Sequence, residues 1–365
     1  MWIIVRIFYY ENDKTPLLLL AVRPLLRALK EDGLIEKGYF SRHWHRGPHI
    51  RLYLQTSAEH MEGIQAKVKE KIGAFLASTP SRRVITEEAV RARHEQLAAH
   101  EYISGPLFPL LPDNSIDYAR DESNDFMYGG ATGFELARDF YSHCQPLVFD
   151  VIERGRSERS MLLSQAFSWM LITANWLENL RISYISYRSH AEGFLYGFDH
   201  KGTLRLHLKQ QYKNQAETLI AMVKPHLDAY YTGGNDLDIR WRESIEMYGK
   251  PIGAAIDAGN IRLPLFNEPD QDGMSLFHQA SYNQPWMQEF TRSNLFHKRR
   301  FILNILYEIL LQIGITPLEK IYLCFALANA VEEATGTPWQ MLLKDRASFI
   351  LQYSRSGGAG RKGVH

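Results

Sequence analysis

The stretch YFSRHWHRGPHIRLYLQ, residues 39–55, decides the fold of the N-terminal part of this chain. Its two flanks, residues 39–44 and 49–54, are rich in β-prone residues, and the Gly-Pro pair between them supplies a turn. The stretch therefore predicts a β-hairpin. Because it also holds three histidines and three arginines within ten positions, it is a candidate for a metal site, a nucleic-acid patch or a substrate clamp.

The sequence on either side of this hairpin predicts one further strand and two helices. Residues 2–9 alternate bulky apolar groups, which is typical of a strand. Thr15 is a good N-cap for a leucine-rich helix that continues to about Lys30, with a restart at Pro24 where a backbone donor is lost. A second helix is expected over residues 57–76. The order β-α-β-β-α indicates an α+β fold with a small antiparallel sheet and flanking helices.

The rest of the chain is expected to be mostly helical. From about residue 155 onward, apolar residues recur at three- and four-residue spacing in each long segment. We therefore predict an α+β portion over residues 1–150 and a mainly helical portion over residues 151–352 packed on it. The glycine-rich basic tail, residues 353–365, is predicted to be disordered because it cannot bury apolar surface.

Composition excludes several classes of protein. With 42 basic and 41 acidic residues, the net charge of +1 provides no overall attraction to nucleic acid or to a membrane surface. Cys144 and Cys324 lie far apart, without the spacing of a zinc ribbon. The N-terminal apolar run has no basic leader, and the apolar segment after it is broken by Arg23, Pro24 and Arg27. We expect a cytoplasmic protein that has no membrane span.

The charged residues of the hairpin favour an anion or a peptide carbonyl over a metal ion. His43, His45 and His49 could provide ligands, but the neighbouring arginines disfavour a divalent cation. Arginine instead offers forked donors, and a histidine can exchange a proton near neutral pH. A hairpin that is merely solvated stays an alternative at this point. Nucleic-acid binding would need a wider basic surface with stacking aromatics, so no nucleic-acid partner and no metal are predicted.

A second motif, YGGATG at Tyr128 to Gly133, lacks the spacing of a dinucleotide-binding or P-loop fingerprint. It predicts either a tight turn at a helix start or backbone donors near a substrate carbonyl, and the residues do not decide between them. The motifs of common hydrolases, zinc proteases and calcium loops do not occur in the sequence.

Taken together, the segments resemble the thiopeptide-type bacteriocin biosynthesis family. This family comprises the elimination domain of class I lantibiotic dehydratases and stand-alone relatives, including the thiopeptide pyridine synthases. The resemblance runs through FYYEND, the hairpin, MYGGATGFELARDFYSHC and ILLQIGITPLEKIYLC, and so covers most of the chain. The residues that match the hairpin pattern of the family are Phe40, Arg42, Trp44, Gly47, Pro48, His49 and Arg51.

The resemblance implies an enzyme that acts on a ribosomally made precursor peptide with a leader, and two chemistries are known in the family. An eliminase removes glutamate from glutamylated Ser or Thr. A pyridine synthase joins two dehydroalanines in a formal aza-[4+2] cycloaddition and then loses water and the leader. The second reaction needs positioning and proton transfer but no cofactor. A non-catalytic adaptor that binds the leader at a sheet edge is a third hypothesis.

A late helix favours the pyridine synthase. Eliminases of the family carry a His-Met-x-x-Asn-Arg-Leu-like helix, and alignment on its Leu-x-Gly end places Tyr307 at the His, Leu311 at the Asn and Gln312 at the Arg. An eliminase would lose its proton relay there, whereas a tyrosine can still donate a hydrogen bond and shuttle a proton. Packing of Tyr307 in a helical core is the alternative.

Our prediction is therefore a stand-alone pyridine synthase, with a glutamate-elimination subunit of a split dehydratase as the second hypothesis. The predicted catalytic residues are Tyr307, His49 and Arg42, and the predicted substrate-binding residues are Arg46, Arg51, Tyr128 and Gly129. The expected partners are the precursor peptide and a dehydratase, and the sequence leaves a homodimer open.

Overall fold

The computed structural model describes residues 1–101, 103, 105–120, 125–228, 230–264 and 273–344. The tail predicted at residues 353–365 lies outside them. The chain forms two compact units, and each takes segments from several parts of the sequence. The sheet unit comprises Met1–Asn124, Arg138–Glu158 and Leu311–Gly314. The helical unit comprises Asp125–Ala137, Arg159–Leu310 and Ile315–His365. The portions predicted on either side of residue 150 stay a prediction.

The sheet unit is built on four antiparallel strands in the order β2-β3-β1-β4. The strands are β1 (Trp2–Phe8), β2 (Lys37–His43), β3 (His49–Gln55) and β4 (Ser115–Arg120). The predicted hairpin is confirmed as β2 and β3. One face of the sheet forms a core, because Val5, Ile7, Ile50 and Leu52 are all 0% exposed. Burial of such aliphatic side chains stabilises the unit by about 1.5–3 kcal/mol each.

The helix after β1 restarts at Pro24, as the sequence predicted. It consists of α1 (Thr15–Leu17), a π-helical turn (Leu18–Val22) and α2 (Arg23–Glu31). Proline has no backbone N–H and cannot close the usual helical bond, so a local change of winding is a common solution. Here the N–H of Arg23 reaches back to the carbonyl of Leu18. The remaining helices before β4 are α3 (Met61–Val68), α4 (Ala74–Ser78) and α5 (Glu87–Glu101).

Helices make up most of the chain after β4. They are α6 (Ala131–Gly155), α7 (Arg159–Leu177), α8 (Leu180–Ser183), α9 (Ile185–Phe198), α10 (Thr203–Val223), α11 (Asp236–Asp257), α12 (Leu276–Tyr282), α13 (Pro285–Thr291), α14 (Asn294–Gln312), α15 (Pro317–Thr335) and α16 (Trp339–Lys344). The α+β class with a mainly helical second half is therefore confirmed.

Two features show why the helical unit holds together. Trp169 and Trp241 stack with ring centroids 4.7 Å apart, and both are buried. Thr316 caps α15 through a reciprocal capping box with Glu319, which satisfies backbone donors that a helix start leaves open. Within the described ranges, no helix is both long and apolar enough to cross a membrane.

Candidate functional site

A polar row crosses one face of the four-stranded sheet. The strand register aligns Ser41, Arg51, Arg6 and Asp117. Residues that are paired across strands point to the same face of a sheet. Arg51 and Arg6 therefore lie directly opposite each other, and like charges in that arrangement destabilise a sheet unless an anion compensates them. The next row on this face contains His43, His49, Phe8 and Ser115.

His49 is a buried histidine with a partner on each ring nitrogen. Its Nδ1 lies 2.8 Å from the carbonyl of Gly47, and since a carbonyl only accepts, Nδ1 carries the proton. Its Nε2 then accepts a hydrogen bond from Nε of Arg51 at 3.1 Å. Burial, followed by the nearby charge of Arg51, holds the pKa of His49 well below its usual range. His49 is thus neutral and fixes the guanidinium of Arg51.

Arg51 and Arg6 have donors left over after these contacts. Within the described ranges, the terminal amino groups of Arg51 have no partner, and Nε of Arg6 likewise has none. Arg6 is anchored by a 2.6 Å ion pair with Asp117. This row therefore holds two guanidinium groups and one carboxylate, which pairs with Arg6, and the remaining donors suit a carboxylate or a peptide carbonyl. Sequence reasoning missed Arg6, because only the register of β1 against β3 brings it to Arg51.

Arg42 lies on the opposite face of the sheet from His49 and Arg51. It is paired with Ile50 of the apolar face, and its Nε donates to the backbone carbonyl of Gln312 at 3.1 Å. The side chain of Gln312 is 0% exposed and accepts a 2.9 Å hydrogen bond from Gln145. The position that the family resemblance assigns to an arginine thus holds a buried amide here. The sheet does not bring Arg42 together with the other predicted hairpin residues.

Arg46 holds a neighbouring loop in place. Its backbone has a φ of 59°, which is unusual for a residue with a side chain and costs conformational energy. Its carbonyl accepts from the N–H of Leu111 at 2.8 Å, and its Nε donates to the carbonyl of Pro109 at 3.1 Å. Gly47 follows with a φ of 119°, where a Cβ would lie 2.5 Å from the hydroxyl of Tyr10. The turn is therefore strained in its backbone and held in place by hydrogen bonds to the neighbouring loop.

The three hairpin histidines do not converge on a common point. The ring of His43 lies 5.3 Å from that of His49 and 6.3 Å from that of His45. Nδ1 of His43 accepts from the backbone N–H of His45 at 3.0 Å, so this nitrogen is already used. Among the residues that the structure describes, no group of three or more His, Cys, Asp or Glu side chains is arranged to hold a metal ion.

Tyr128 and Gly129 belong to a tight turn in the helical unit. Gly129 has a φ of 75°, and a Cβ there would lie 2.8 Å from the backbone of Arg262. Its N–H donates to Phe126 and its carbonyl accepts from the N–H of Arg262, each at 3.1 Å. The ring of Tyr128 packs 5.4 Å from that of Phe134. The backbone groups of Gly129 are thus engaged within the chain, and the turn fixes the start of α6.

Tyr307 is the centre of a cluster in the helical unit. It lies on α14, it is 6% exposed, and its hydroxyl is 3.7 Å from the thiol sulfur of Cys324. The ring of His190 packs 4.5 Å from its ring, and Nζ of Lys320 lies 4.8 Å from the ring centre. Burial raises the pKa of Tyr307 well above its usual range, and the thiol and Tyr187 act in the same direction. Tyr307 is thus a neutral phenol that can donate a hydrogen bond.

His190 brings a second titratable group to Tyr307. The residue keeps an exposed edge, yet surrounding protein removes water from much of its ring and lowers its pKa to about 3, with Lys320 and His278 contributing. His190 is therefore neutral near pH 7. Sequence reasoning missed His190 and Lys320, because neither carries a motif and only the packing of α9 and α15 beside α14 identifies them.

The sheet unit with its arginine-bearing face and the helical unit with its buried phenol define an α+β protein. The chain matches the profile of the lantibiotic biosynthesis dehydratase C-terminal domain over residues 2–331, and it belongs to that family. The resemblance inferred from the sequence is confirmed.

Two solved structures share the fold over nearly their full length. One is described as "Pyridine synthase, TbtD, from thiomuracin biosynthesis"; it is 26% identical, has a TM-score of 0.74, and the match covers 92% of this chain and 99% of that one. The crystal structure of TsrL is 20% identical with a TM-score of 0.71, covering 94% and 98%, and shows likeness of fold. A comparison with curated proteins gives no match.

Proposed function

We propose that this chain is a pyridine synthase of thiopeptide-type biosynthesis. Its substrate would be a ribosomally made peptide that carries a leader and two dehydroalanines, which a dehydratase partner would supply. In the reaction, an amide proton moves from nitrogen to oxygen, two new carbon–carbon bonds close a six-membered ring, and loss of water and of the leader as an amide makes the ring aromatic. These steps require proton transfer and positioning.

The observation that carries this proposal is the buried, neutral Tyr307. It occupies the position that the family resemblance assigns to the eliminase histidine, and Gln312, a buried amide, stands at the arginine position. Removal of glutamate requires a base and a cation for the departing carboxylate, and these two positions supply neither. A neutral phenol, in contrast, can donate a hydrogen bond to an amide oxygen and pass a proton during tautomerisation. The likeness to a pyridine synthase over 92% of the chain supports the same choice.

The sheet residues receive binding roles in this proposal. Arg51, oriented by His49, and its neighbour Arg6 would hold a carbonyl or carboxylate of the peptide. The contact of Arg42 with the reacting amides stays a prediction, because its Nε donates to the carbonyl of Gln312 on the opposite face of the sheet. Arg46 would act through the loop that it holds, and Tyr128 and Gly129 through the turn before α6.

A mass-spectrometric assay tests the function. The protein is incubated with a leader-bearing peptide that contains two dehydroalanines and, separately, with a glutamylated peptide. Loss of the leader and of water supports the proposal. Loss of glutamate from the second peptide would replace it with elimination, and binding with unchanged mass would replace it with an adaptor role. The variant Tyr307→Phe should lower conversion by about 10²–10³-fold, whereas His207→Ala, at an exposed position on α10, serves as a surface control.

A further inference from the structure

A second histidine in the helical unit, His278, lies between two hydroxyl groups. Its Nε2 is 2.9 Å from Oγ of Ser189, and its Nδ1 is 2.7 Å from Oγ of Ser275. Ser275 is the N-cap of α12 and also accepts a hydrogen bond from the backbone N–H of His278 at 3.3 Å, which fixes its position. The three side chains thus form a continuous hydrogen-bonded chain from α9 to α12.

The partners of His278 allow it to change protonation, whereas those of His49 do not. A hydroxyl can donate or accept, so both neutral tautomers and the imidazolium of His278 keep two hydrogen bonds. For His49, a proton on Nε2 would face the N–H of Arg51, which can only donate. Protonation of Nε2 would therefore cost His49 its hydrogen bond with Arg51 and would place two positive charges side by side. Protonation of His278 has neither effect.

The position of His278 links it to the Tyr307 cluster. Ser189 precedes His190 on α9, and the ring of His190 packs 4.5 Å from that of Tyr307. The charge of His278 is also close enough to lower the pKa of His190. His278 is half-buried, and burial lowers its own pKa while Glu192 acts in the opposite direction. At neutral pH it is therefore in the form that accepts a proton.

We propose that Ser189, His278 and Ser275 form a proton relay that serves the site around Tyr307. The inference rests on the proposed function, because the proton concerned is that of the substrate amide. The amide nitrogen gives its proton to Oγ of Ser189 as the hydroxyl proton of Ser189 passes to Nε2 of His278. The imidazolium then returns one proton through Ser189 to the phenol oxygen of Tyr307, as that phenol gives its own proton to the amide oxygen. The relay ends unchanged, and no oxidant, reductant or further reactant is needed.

Nuclear magnetic resonance of the full chain, labelled with nitrogen-15 in histidine, tests the relay without substrate. His278→Gln and His49→Gln each remove one set of signals and so assign them. We expect the ring nitrogens of His278 to report a mixture of two tautomers, and those of His49 to report a proton fixed on Nδ1. A single fixed tautomer at His278, with no imidazolium on mild acidification, would overturn the relay.

Kinetics with the bis-dehydroalanine peptide provide the second test. Ser189→Ala and His278→Gln should each lower kcat by about 10²-fold and leave KM within about threefold, since general acid–base groups contribute at least this much. Added imidazole should restore part of the rate of His278→Gly, which a purely structural histidine would not show. Full kcat in Ser189→Ala and His278→Gln would refute the relay. If the unaltered protein converts neither the bis-dehydroalanine peptide nor the glutamylated peptide, the proposed function fails. The resonance experiment alone then decides whether His278 can relay a proton.

Discussion

The hairpin and the Tyr307 cluster both place histidines among polar groups, but the partners of those histidines differ in kind. In the hairpin, His49 lies between a carbonyl that only accepts and a guanidinium that only donates. In the helical unit, His278 lies between two hydroxyls that can do either. The partners of an imidazole, more than its presence in a motif, therefore decide whether it can move a proton.

The two regions also differ in charge. The sheet unit places two guanidinium groups directly opposite each other, at Arg6 and Arg51. In the cluster of the helical unit, Tyr307, His190 and His278 are neutral near pH 7 because burial disfavours their charged forms, and Lys320 brings a cation 4.8 Å from the ring centre of Tyr307. In the proposed function, Arg51 and Arg6 bind an acceptor group of the peptide, and the titratable groups around Tyr307 move protons.

The largest expected effect comes from the phenol at the centre of the cluster. Tyr307→Phe should lower kcat by about 10²–10³-fold, because general acid–base groups contribute about 10²–10⁴-fold. The free energy of unfolding should change by about 1 kcal/mol or less, since the substitution removes a hydroxyl whose hydrogen bond to a thiol is long. Single-turnover kinetics with the bis-dehydroalanine peptide and urea denaturation measure the two quantities.

Tyr187→Phe is the matched control for this prediction. Tyr187 is also buried, its ring lies 6.5 Å from that of Tyr307, and its hydroxyl donates to the carbonyl of Met170 at 2.8 Å. Its replacement should cost about 1 kcal/mol of stability and leave kcat unchanged. Equal kcat values for Tyr307→Phe and the unaltered protein would assign Tyr307 to core packing instead.

The fold was predictable where the signals are local. The Gly-Pro turn and the alternating flanks place the hairpin within two residues of its observed ends, and Pro24 marks the restart of the first helix. The strand β4 was missed, because SIDYAR is short and half polar and its pairing with β1 joins residues more than 100 positions apart. Such pairing depends on tertiary contacts that no short window contains.

The candidate site was predictable only in part. The hairpin motif identifies His49 and Arg51, but it does not reveal that Arg42 points to the other face. A shift of one residue in the pairing across the turn would move every side chain to the other face of the sheet. The face on which Arg42 lies therefore follows from the register, which the sequence motif does not specify. Arg6, His190 and His278 belong to no recognisable motif. Each is identified only by its contact with a residue on another strand or helix.

A smaller effect is expected from Arg51, to which we assign a role in binding the peptide. Arg51→Met should raise KM for the peptide about 10–100-fold, because a hydrogen bond from a charged donor contributes about 1.5–3 kcal/mol. The value of kcat should change less, since a binding contact acts on the bound substrate and the transition state alike. Arg27→Met, at an exposed arginine paired with Glu31 on α2, controls for loss of surface charge. An effect on kcat alone would give Arg51 a role in the chemistry and would blur the contrast between the two regions.

The smallest effect concerns Lys14, a buried lysine of the sheet unit. Lys14 is 7% exposed, its ammonium donates to the carbonyl of Tyr9, and burial, with Arg42 as the next cause, lowers its pKa to about 7. Between about pH 7 and its ordinary pKa of 10.5, the unfolded chain binds a proton that the folded chain does not. The free energy of unfolding should therefore rise with pH in this window. The destabilisation caused by charging the buried Lys14 is complete below about pH 7.

Replacing this lysine with an apolar side chain of similar length makes the effect measurable. Lys14→Met should stabilise the protein by about 1–2 kcal/mol at pH 7, because the cost of a buried charge exceeds the contribution of the hydrogen bond that the ammonium makes. This advantage should shrink as the pH rises from 7 to 9.5 in urea denaturation, whereas Lys30→Met, at an exposed lysine of α2, should show no such trend. A constant difference between Lys14→Met and the unaltered protein across this range would mean that Lys14 stays charged when folded. The sheet unit would then keep, above pH 7, one positive charge that the lowered pKa of Lys14 removes.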